Sequence, residues 1–237
     1  MTDIALPESL AAARERLHVA LENAGRPIND ARLLAVSKTK PADMIRQAWQ
    51  LGQREFGENY LQEALDKQAQ LADLEGLVWH FIGPLQSNKT RAVAERFDWV
   101  HSVDRAKIAR RLSEQRPTEL PPLNVCIQVN MSGETSKSGV SLDELSQLAS
   151  EIAGLPNLNL RGLMTIPAPT ETLEAQRKPL AALREAFLQL KQAFPDAPLD
   201  TLSMGMSDDL EAAILEGATL VRLGTAIFGA RGSASET

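Results

Sequence analysis

The sequence predicts an α/β fold, namely a single (β/α)8 TIM barrel with an N-terminal helix. Three observations predict it: eight strand-like runs alternate with amphipathic stretches, several of these runs are continuously apolar, and the chain has 237 residues. Continuous apolar runs are typical of parallel strands, because helices cover both faces of such a sheet. Eight βα units in a chain of this length favour the closed barrel over an open doubly wound sheet.

The predicted elements follow one another in a regular order. A lead-in helix is expected over residues 9–24, ahead of the first strand. Each strand-like run is bounded by Gly, Pro, Asn or Asp. The eight runs are RLLAVSK (32–38), REFGENY (54–60), LVWHFIG (77–83), WVHSVD (99–104), LNVCIQVN (123–130), LNLRGLMTIP (158–167), DTLSMG (200–205) and LVRLGTAIFG (220–229).

Apolar residues at helical spacing predict the helices between these strands. The clearest are Ala42–Leu51, Leu142–Ala153, Leu180–Phe194 and Asp208–Glu216. No internal repeat, low-complexity tract or linker divides the chain, so residues 1–230 are predicted to form one domain. The final residues 231–237 (RGSASET) are predicted to form a flexible tail.

Composition excludes several classes of function. The net charge of −6 disfavours nucleic acid and acidic membranes as partners, and no run approaches the roughly 18 apolar residues that a membrane helix needs. The lone Cys126 permits no internal disulfide, and the first residues lack the basic and apolar segments of a secretory signal. The sequence therefore predicts a cytoplasmic protein.

Lys38 is the first candidate functional residue, because it ends an apolar strand. Functional groups of such barrels lie where strands end and the following loops begin. A lysine between apolar walls loses hydration of its charged form, which favours the neutral amine that attacks a carbonyl. The alternative is a lysine whose amine simply reaches solvent.

A second candidate site follows the seventh and eighth strands. Gly205 and Ser207 precede acidic residues at a predicted helix start, where backbone N–H groups and a hydroxyl suit a phosphate. Ordinary helix capping by Ser207 is the alternative. Gly224 and Thr225 would offer further donors to the same anion, since phosphate sites near strands 7 and 8 recur in these barrels.

Arg222 lies within the apolar eighth strand and needs a partner there. It could belong to an ion pair that holds the barrel closed, or it could face a ligand.

Two other patterns carry weaker signals. GPLQSNKT (83–90) nearly matches a nucleotide-binding loop, but Asn88 replaces its second glycine and Pro84 removes an N–H group, which argues against an NTPase. His80 and His101 belong to no recognisable metal pattern, so no metal site is predicted and His80 is interpreted as a hydrogen-bonded core residue.

Seven ordered motifs together resemble the pyridoxal phosphate homeostasis protein family, which is related to the N-terminal barrel domain of alanine racemase. They are LLAVSKTKP, FGENYLQE, WHFIGPLQSNK, SKSG, LRGLMTIP, SMGMSDD and VRLGTAIFGAR, and they span Leu33 to Arg231.

The resemblance implies a site for pyridoxal 5′-phosphate (PLP). Lys38 would carry the cofactor as an internal aldimine, and Arg222 would face the pyridine nitrogen. Ser207, Gly224 and Thr225 would hold the phosphate, with help from the backbone of Met206. Four further residues are implied at or near the ring pocket: Asn59, His80, Ser203 and Met204.

The resemblance also implies a carrier or regulator of PLP without robust catalysis of its own. An amino-acid racemase is the alternative, but racemisation needs a base on each face of the substrate, and the single tyrosine, Tyr60, cannot be assumed to supply the second. Lys137 could act as a second, transient amine or remain a solvated loop residue. The expected partners are PLP-dependent apo-enzymes or free amino acids, and the expected state is a monomer.

Overall fold

The eight predicted strands form one closed parallel barrel, which confirms the predicted fold class. The computed structural model describes residues 5–133 and 138–230. Both Lys137 and the predicted tail at 231–237 lie outside the described residues. The strands are β1 (Arg32–Val36), β2 (Glu55–Glu58), β3 (Val78–Phe81), β4 (Trp99–Val103), β5 (Leu123–Gln128), β6 (Leu158–Met164), β7 (Thr201–Ser203) and β8 (Leu220–Leu223).

The strands pair in chain order, and β8 pairs with β1 to close the barrel. Closure sets Leu34 of β1 opposite Arg222 of β8. All eight strands therefore end at the same mouth, and the loops after β7, β8 and β1 are neighbours there.

Helices surround the barrel and pack against its outer face. They are α1 (Leu6–Asn23), α2 (Ala42–Gln50), α3 (Leu61–Gln70), α4 (Thr90–Arg96), α5 (Ala106–Gln115), α6 (Leu142–Ala153), α7 (Leu173–Ala193), α8 (Leu210–Leu215) and α9 (Thr225–Phe228). Within the described residues no helix is long and apolar enough to cross a bilayer.

The lead-in helix α1 packs against α8 and α9, close to the end of the described chain. It begins at Leu6 rather than at residue 9, because Pro7 suits the first turn of a helix. The hydroxyl of Ser9 donates to the carbonyl oxygen of Ile227 at 2.6 Å and ties the two ends of the chain together.

Helix α7 is longer than its predicted range of Leu180–Phe194. It begins at Leu173, because Thr172 caps it by accepting the N–H of Ala175 at 3.1 Å. Pro179 therefore lies inside the helix, where it removes one intrahelical hydrogen bond.

Helix α8 is shorter than its predicted range of Asp208–Glu216, and Ser207 does not cap it. The helix begins at Leu210 after a turn over residues 207–209. Within this turn the carboxylate of Asp209 accepts the N–H of Met206 at 2.8 Å. The local hydrogen bond competes with helix formation, which is the usual behaviour of Asp near a helix start.

Candidate functional site

A cavity of about 240 Å³ opens at the carboxyl ends of β1, β7 and β8. Small-molecule sites commonly span roughly 300–1,000 Å³, so this cavity suits a compact ligand. Its lining residues are Val36, Lys38, Thr39, Lys40, Met206, Ser207, Arg222, Gly224, Thr225 and Gly229. Six of the ten residues proposed from sequence are among them, although Lys38 and Thr225 lie far apart in the chain.

Lys38 lies just beyond β1 and is partly buried. Its backbone belongs to a tight turn in which the N–H of Lys40 donates to the carbonyl oxygen of Ser37 at 3.1 Å. Thr39 has a φ of 65°, a left-handed conformation that a β-branched residue rarely adopts. The strand ends two residues earlier than the predicted segment, and the turn carries the lysine into the cavity.

Gly224 and Thr225 form the wall next to Lys38. The amides of Thr225 and Ala226 open the short helix α9, so they have no acceptor within that helix. A Cβ on Gly224 would lie 3.2 Å from the carbonyl oxygen of Val36 and 3.3 Å from its Cβ. A side chain there would fill the cradle between β8 and β1.

The loop after β7 supplies the facing wall. Gly205 has a φ of 103°, and a Cβ there would lie 2.7 Å from the Cβ of Ala213, so the position needs glycine. The exposed residues Met206 and Ser207 follow it into the cavity. Arg16 of α1 donates to the carbonyl oxygen of Ser207 at 2.6 Å and holds the loop from outside.

Arg222 is almost fully buried, yet it lines the cavity. Burial lowers the pKa of its guanidinium to about 10, with the nearby Asp209 opposing the shift, so the group remains a cation at neutral pH. One nitrogen, Nη2, donates to the carbonyl oxygen of Thr165 at 3.0 Å. Its Nε is buried and has no hydrogen-bond partner within the described residues.

These groups fit a phosphate-bearing aldehyde. The unpartnered Nε of Arg222 needs an acceptor, and the cradle at Gly224 offers space and amide donors to an anion. Lys38 supplies a primary amine to the same cavity. No group of three or more metal-ligating side chains occurs among residues 5–133 and 138–230.

Asn59 lies at the same mouth but lines a different cavity, of about 320 Å³, near the ends of β2, β3 and β5. Its Oδ1 is buried and has no hydrogen-bond partner among the residues that the structure covers. Ser203 and Met204 are fully buried at the end of β7 and do not line the Lys38 cavity.

His80 is not among the residues that line the Lys38 cavity, so the sequence-based placement of its ring at the pocket is not matched. Its side chain is fully buried inside the barrel, where it stacks on Trp99 at a centroid distance of 5.3 Å. On β3 it lies in register with Gly57 of β2 and Trp99 of β4. The alternative interpretation, a hydrogen-bonded core residue, describes it.

A chain of hydrogen bonds runs through the barrel interior from Glu55 to Ser203. The Nε2 atom of His80 lies 3.1 Å from Glu55, and its Nδ1 lies 2.8 Å from Nε2 of His101. The Nδ1 atom of His101 lies 2.7 Å from the hydroxyl oxygen of Ser203. These contacts join the consecutive strands β2, β3 and β4 to the distant β7, and no local motif indicated them.

The carboxylate of Glu55 determines which atoms donate and which accept along this chain of hydrogen bonds. Burial alone would raise the pKa of Glu55, but hydrogen bonds from His80 and Arg32 outweigh it and lower the pKa to about 2. Burial lowers the pKa of His80, and burial together with the charge of Arg222 lowers the pKa of His101 well below its usual value. An ionised Glu55 can only accept, so each neutral imidazole donates through Nε2 and Ser203 donates to His101.

Sequence reasoning missed four lining residues: Val36, Thr39, Lys40 and Gly229. Strand alternation could have indicated Val36, since it precedes Lys38 by two positions on the same face. Lys40 donates through Nζ to the carbonyl oxygen of Ala230 at 2.6 Å, a contact between chain segments that no local pattern predicts.

The near-match to a nucleotide-binding loop has a structural explanation in packing. A Cβ on Gly83 would lie 2.5 Å from the backbone oxygen of Asn59, so the glycine allows two loops to approach closely. The segment then forms a 3-10 turn over Ser87–Lys89 that leads into α4.

Comparisons with known proteins show the family of the chain. The family described as "Alanine racemase, N-terminal domain" matches residues 9–232. The chain is 62% identical over 226 residues to a pyridoxal phosphate homeostasis protein from Pseudomonas aeruginosa, covering 95% of this chain and 96% of the relative. A protein of the same name from Escherichia coli K12 is 56% identical over 233 residues, with 98% of each chain covered.

Solved structures of two kinds share the fold. PipY from Synechococcus elongatus, with PLP bound, superposes with a TM-score of 0.84 at 39% identity, covering 95% of this chain and all of PipY (100%). Alanine racemase from Corynebacterium glutamicum superposes with a TM-score of 0.67 at 21% identity, covering 96% of this chain but 64% of the racemase. The second likeness shows the barrel fold alone.

Proposed function

The chain belongs to the pyridoxal phosphate homeostasis protein family, and on that premise we propose that it binds PLP as a Schiff base on Lys38 and acts as a carrier and regulator of the cofactor. One observation carries the proposal: the amine of Lys38 and the anion-binding groups of the β7 and β8 loops line a single cavity. A PLP-bound structure of the relative PipY supports the choice of cofactor.

Each wall of the cavity has a proposed role. The hydroxyls of Ser207 and Thr225 and the amides after Gly224 hold the phosphate, while Arg222 faces the ring nitrogen through its unpartnered Nε. Met206 lines the same wall, but its N–H donates to Asp209 in this structure, so its backbone would help only after that hydrogen bond is exchanged for one to the phosphate. Asn59, Ser203, Met204 and His80 are proposed to shape the ring end of the pocket; His80 acts through His101 and Ser203, because it does not itself line the cavity.

The cofactor supplies an aldehyde that condenses reversibly with a primary amine, with loss of one water. Lys38 provides that amine, and the turn from Ser37 to Lys40 presents it to the cavity. Arg222 stays cationic at neutral pH, so it disfavours a proton on a facing ring nitrogen and weakens electron withdrawal by the ring. Robust chemistry on amino acids is therefore disfavoured.

The position of Tyr60 also supports a carrier over a racemase. Tyr60 is 48% exposed, precedes α3 and is absent from the lining of the Lys38 cavity. It does not supply a second base opposite Lys38 in this structure, whereas racemisation needs a base on each face of the substrate.

Release requires no further catalytic group. A free amino acid or a lysine of an apo-enzyme can form the new C=N bond, and Lys38 leaves as a free amine. We propose that the protein works in this way as a cytoplasmic monomer that exchanges PLP with free amino acids or PLP-dependent apo-enzymes.

Reductive trapping tests the proposal. Purified protein is incubated with PLP, its absorbance spectrum is recorded, borohydride is added and the labelled peptide is mapped by mass spectrometry. We expect a visible absorbance band and a label on Lys38 in the wild type, and neither in Lys38→Ala. The exposed Lys107 serves for the matched control Lys107→Ala, which keeps both signals. A colourless wild type, or a label on another lysine, would contradict the proposal.

A second assay separates the carrier from the racemase. PLP-loaded protein is incubated with L-alanine in D₂O, and deuterium at the α-carbon and optical purity are followed. The carrier leaves both unchanged over many equivalents of alanine. Sustained deuteration with loss of optical purity would establish the racemase instead.

A further inference from the structure

We propose that a cluster of the buried Glu58 and Lys67 with the partly exposed Glu63, behind the Lys38 turn, positions the Lys38 amine for capture of the cofactor. These three are positioning residues, because they contact the residues on either side of Lys38 rather than the cavity. The inference rests on the proposed function and names the residues that orient the Lys38 amine for it.

The ammonium group of Lys67 is the centre of the cluster. Lys67 is 4% exposed, and its Nζ lies 2.7 Å from the carbonyl oxygen of Ser37 and 2.6 Å from a carboxylate oxygen of Glu58. Glu63, one helical turn earlier on α3, lies 2.6 Å from the same nitrogen. Three partners match the three N–H donors of an ammonium group.

The cluster holds the Lys38 turn at both sides. Lys67 contacts the carbonyl oxygen of Ser37 immediately before Lys38, and Glu63 accepts the N–H of Thr39 immediately after it at 2.5 Å. The hydroxyl of Ser37 also donates to Glu58 at 3.2 Å. The peptide groups flanking Lys38 are thus both bound to α3, and the side chain of Ser37 is bound to β2.

The hydrogen bonds from Lys67 to Ser37 and from Thr39 to Glu63 form a clamp on the Lys38 turn. The conformation of Thr39 gives this clamp a role beyond packing. A β-branched residue with φ near 65° is strained, and such strain persists only where the surroundings enforce it. Glu63 satisfies the N–H that the strained residue presents. Without the clamp the turn can relax into an ordinary conformation, which changes the direction of the preceding lysine side chain.

Burial of this charged cluster carries a desolvation cost. The cluster places two carboxylates, the fully buried Glu58 and the partly exposed Glu63, against one ammonium, and Oε2 of Glu58 has no hydrogen-bond partner within the described residues. Burying charged groups in this way seldom contributes net stability compared with apolar packing. Burial raises the pKa of Glu58 to about 7 even though Lys67 opposes the shift, so the charge of the cluster changes near neutral pH.

The test compares capture rates of folded variants. Glu63→Ala removes the acceptor of the Thr39 N–H, while Glu63→Gln keeps an oxygen there. Lys67→Met removes the contact with Ser37. The matched control is Glu216→Gln, which alters another buried glutamate with two basic partners, Arg177 and Arg184, at the opposite end of the barrel.

We expect Glu63→Ala and Lys67→Met to slow borohydride-trappable capture of PLP by about tenfold to 100-fold, as small positional errors of reacting groups do. Glu63→Gln restores most of the rate, and Glu216→Gln lowers thermal stability without changing capture. If Lys67→Met fails to fold, the comparison of Glu63→Ala with Glu63→Gln decides the test alone. Glu63 is 30% exposed, so its replacement disturbs the fold less than that of the buried Lys67.

Hydrogen exchange in the apo-protein provides a readout that does not depend on PLP. The amide of Thr39 should exchange at least about tenfold faster in Glu63→Ala than in the wild type, because its acceptor is lost.

Two sets of outcomes would overturn the inference. In the first, Glu63→Ala and Lys67→Met both capture PLP at the wild-type rate, and the Thr39 amide exchanges as fast as in the wild type. In the second, Glu216→Gln slows capture of PLP as much as these two variants do. Failure of the wild type to capture PLP at all would instead refute the proposed function, and the exchange data would still report on the clamp.

Discussion

Leu34 of β1 lies in register with Arg222 of β8, and this pairing closes the barrel. It also builds the candidate site, because the residues that follow each partner, Lys38 and Gly224, become neighbours at the barrel mouth. The two halves of the cavity come from opposite ends of the chain. Changes that disturb closure should therefore affect the cavity and the fold together.

The buried histidines should be neutral and share one tautomer. Because Glu55 accepts from His80 and burial lowers the pKa of both His80 and His101, we expect Nε2 of each ring to carry the proton at pH 7. Nitrogen-15 NMR of histidine-labelled protein distinguishes the two tautomers and the imidazolium. A protonated Nδ1 on either buried ring would show that the hydrogen-bond chain has a different direction.

Replacing the donor at the end of this chain should destabilise the protein. Ser203→Ala leaves Nδ1 of His101 buried without its donor at 2.7 Å. We expect a loss of about 1–3 kcal/mol in the free energy of unfolding, the usual cost of an unsatisfied buried polar atom. Urea unfolding measures it. Wild-type stability in Ser203→Ala would mean that another donor reaches His101.

Glu55 should stabilise the fold at neutral pH and lose that effect in acid. Its folded pKa of about 2 lies below the unperturbed 4.5, so its contribution is present above pH 4.5 and disappears as pH falls toward 2. The difference corresponds to at most about 3 kcal/mol. Urea unfolding of wild type and Glu55→Gln at several pH values should show a stability gap that narrows across this window. A stability gap that does not change with pH would contradict the lowered pKa of Glu55 in the folded state.

Glu58 should make stability depend on pH with the opposite sign to Glu55. Burial raises its folded pKa to about 7, above the unperturbed 4.5, so the folded state holds a proton that the unfolded state has lost. Its contribution to stability therefore falls as pH rises from 4.5 to about 7. Glu58→Gln should remove this dependence, which parallel unfolding curves at pH 5 and pH 8 can measure. Identical pH slopes in both proteins would argue against the buried, protonated carboxyl.

Gly205 should tolerate no side chain. An added Cβ would lie 2.7 Å from Ala213, and the φ of 103° is unfavourable for any L-residue with a side chain. We expect Gly205→Ala to lower the free energy of unfolding by about 1–3 kcal/mol. Gly154→Ala is the matched control, since its φ is −87° and the nearest atom to a Cβ is 3.7 Å away. The prediction is wrong if the two variants are equally stable.

The candidate residues that had a local signal in the sequence line one cavity in the structure, and their roles stay predictions. The apolar runs predicted all eight strands, and Lys38, Arg222 and Gly224 stood out because a lysine, an arginine and a glycine are unusual at the ends of such runs. Ser207 lines the cavity, and its role toward a phosphate stays a prediction. The alternative of helix capping is wrong, because the hydrogen bond from the Met206 N–H to Asp209 delays the start of the helix.

The chain by itself determined the βα rhythm and the barrel, and it singled out Lys38 as the candidate amine. Apolar periodicity and turn residues act over a few positions, so they can be read directly from the order of residues. Only the tertiary structure decided which strand ends meet, how Glu55, His80, His101 and Ser203 connect, and that Lys67 holds the turn beneath Lys38. Those contacts depend on closure of the barrel and on the inward face of each strand, which bring together side chains that are far apart in the chain.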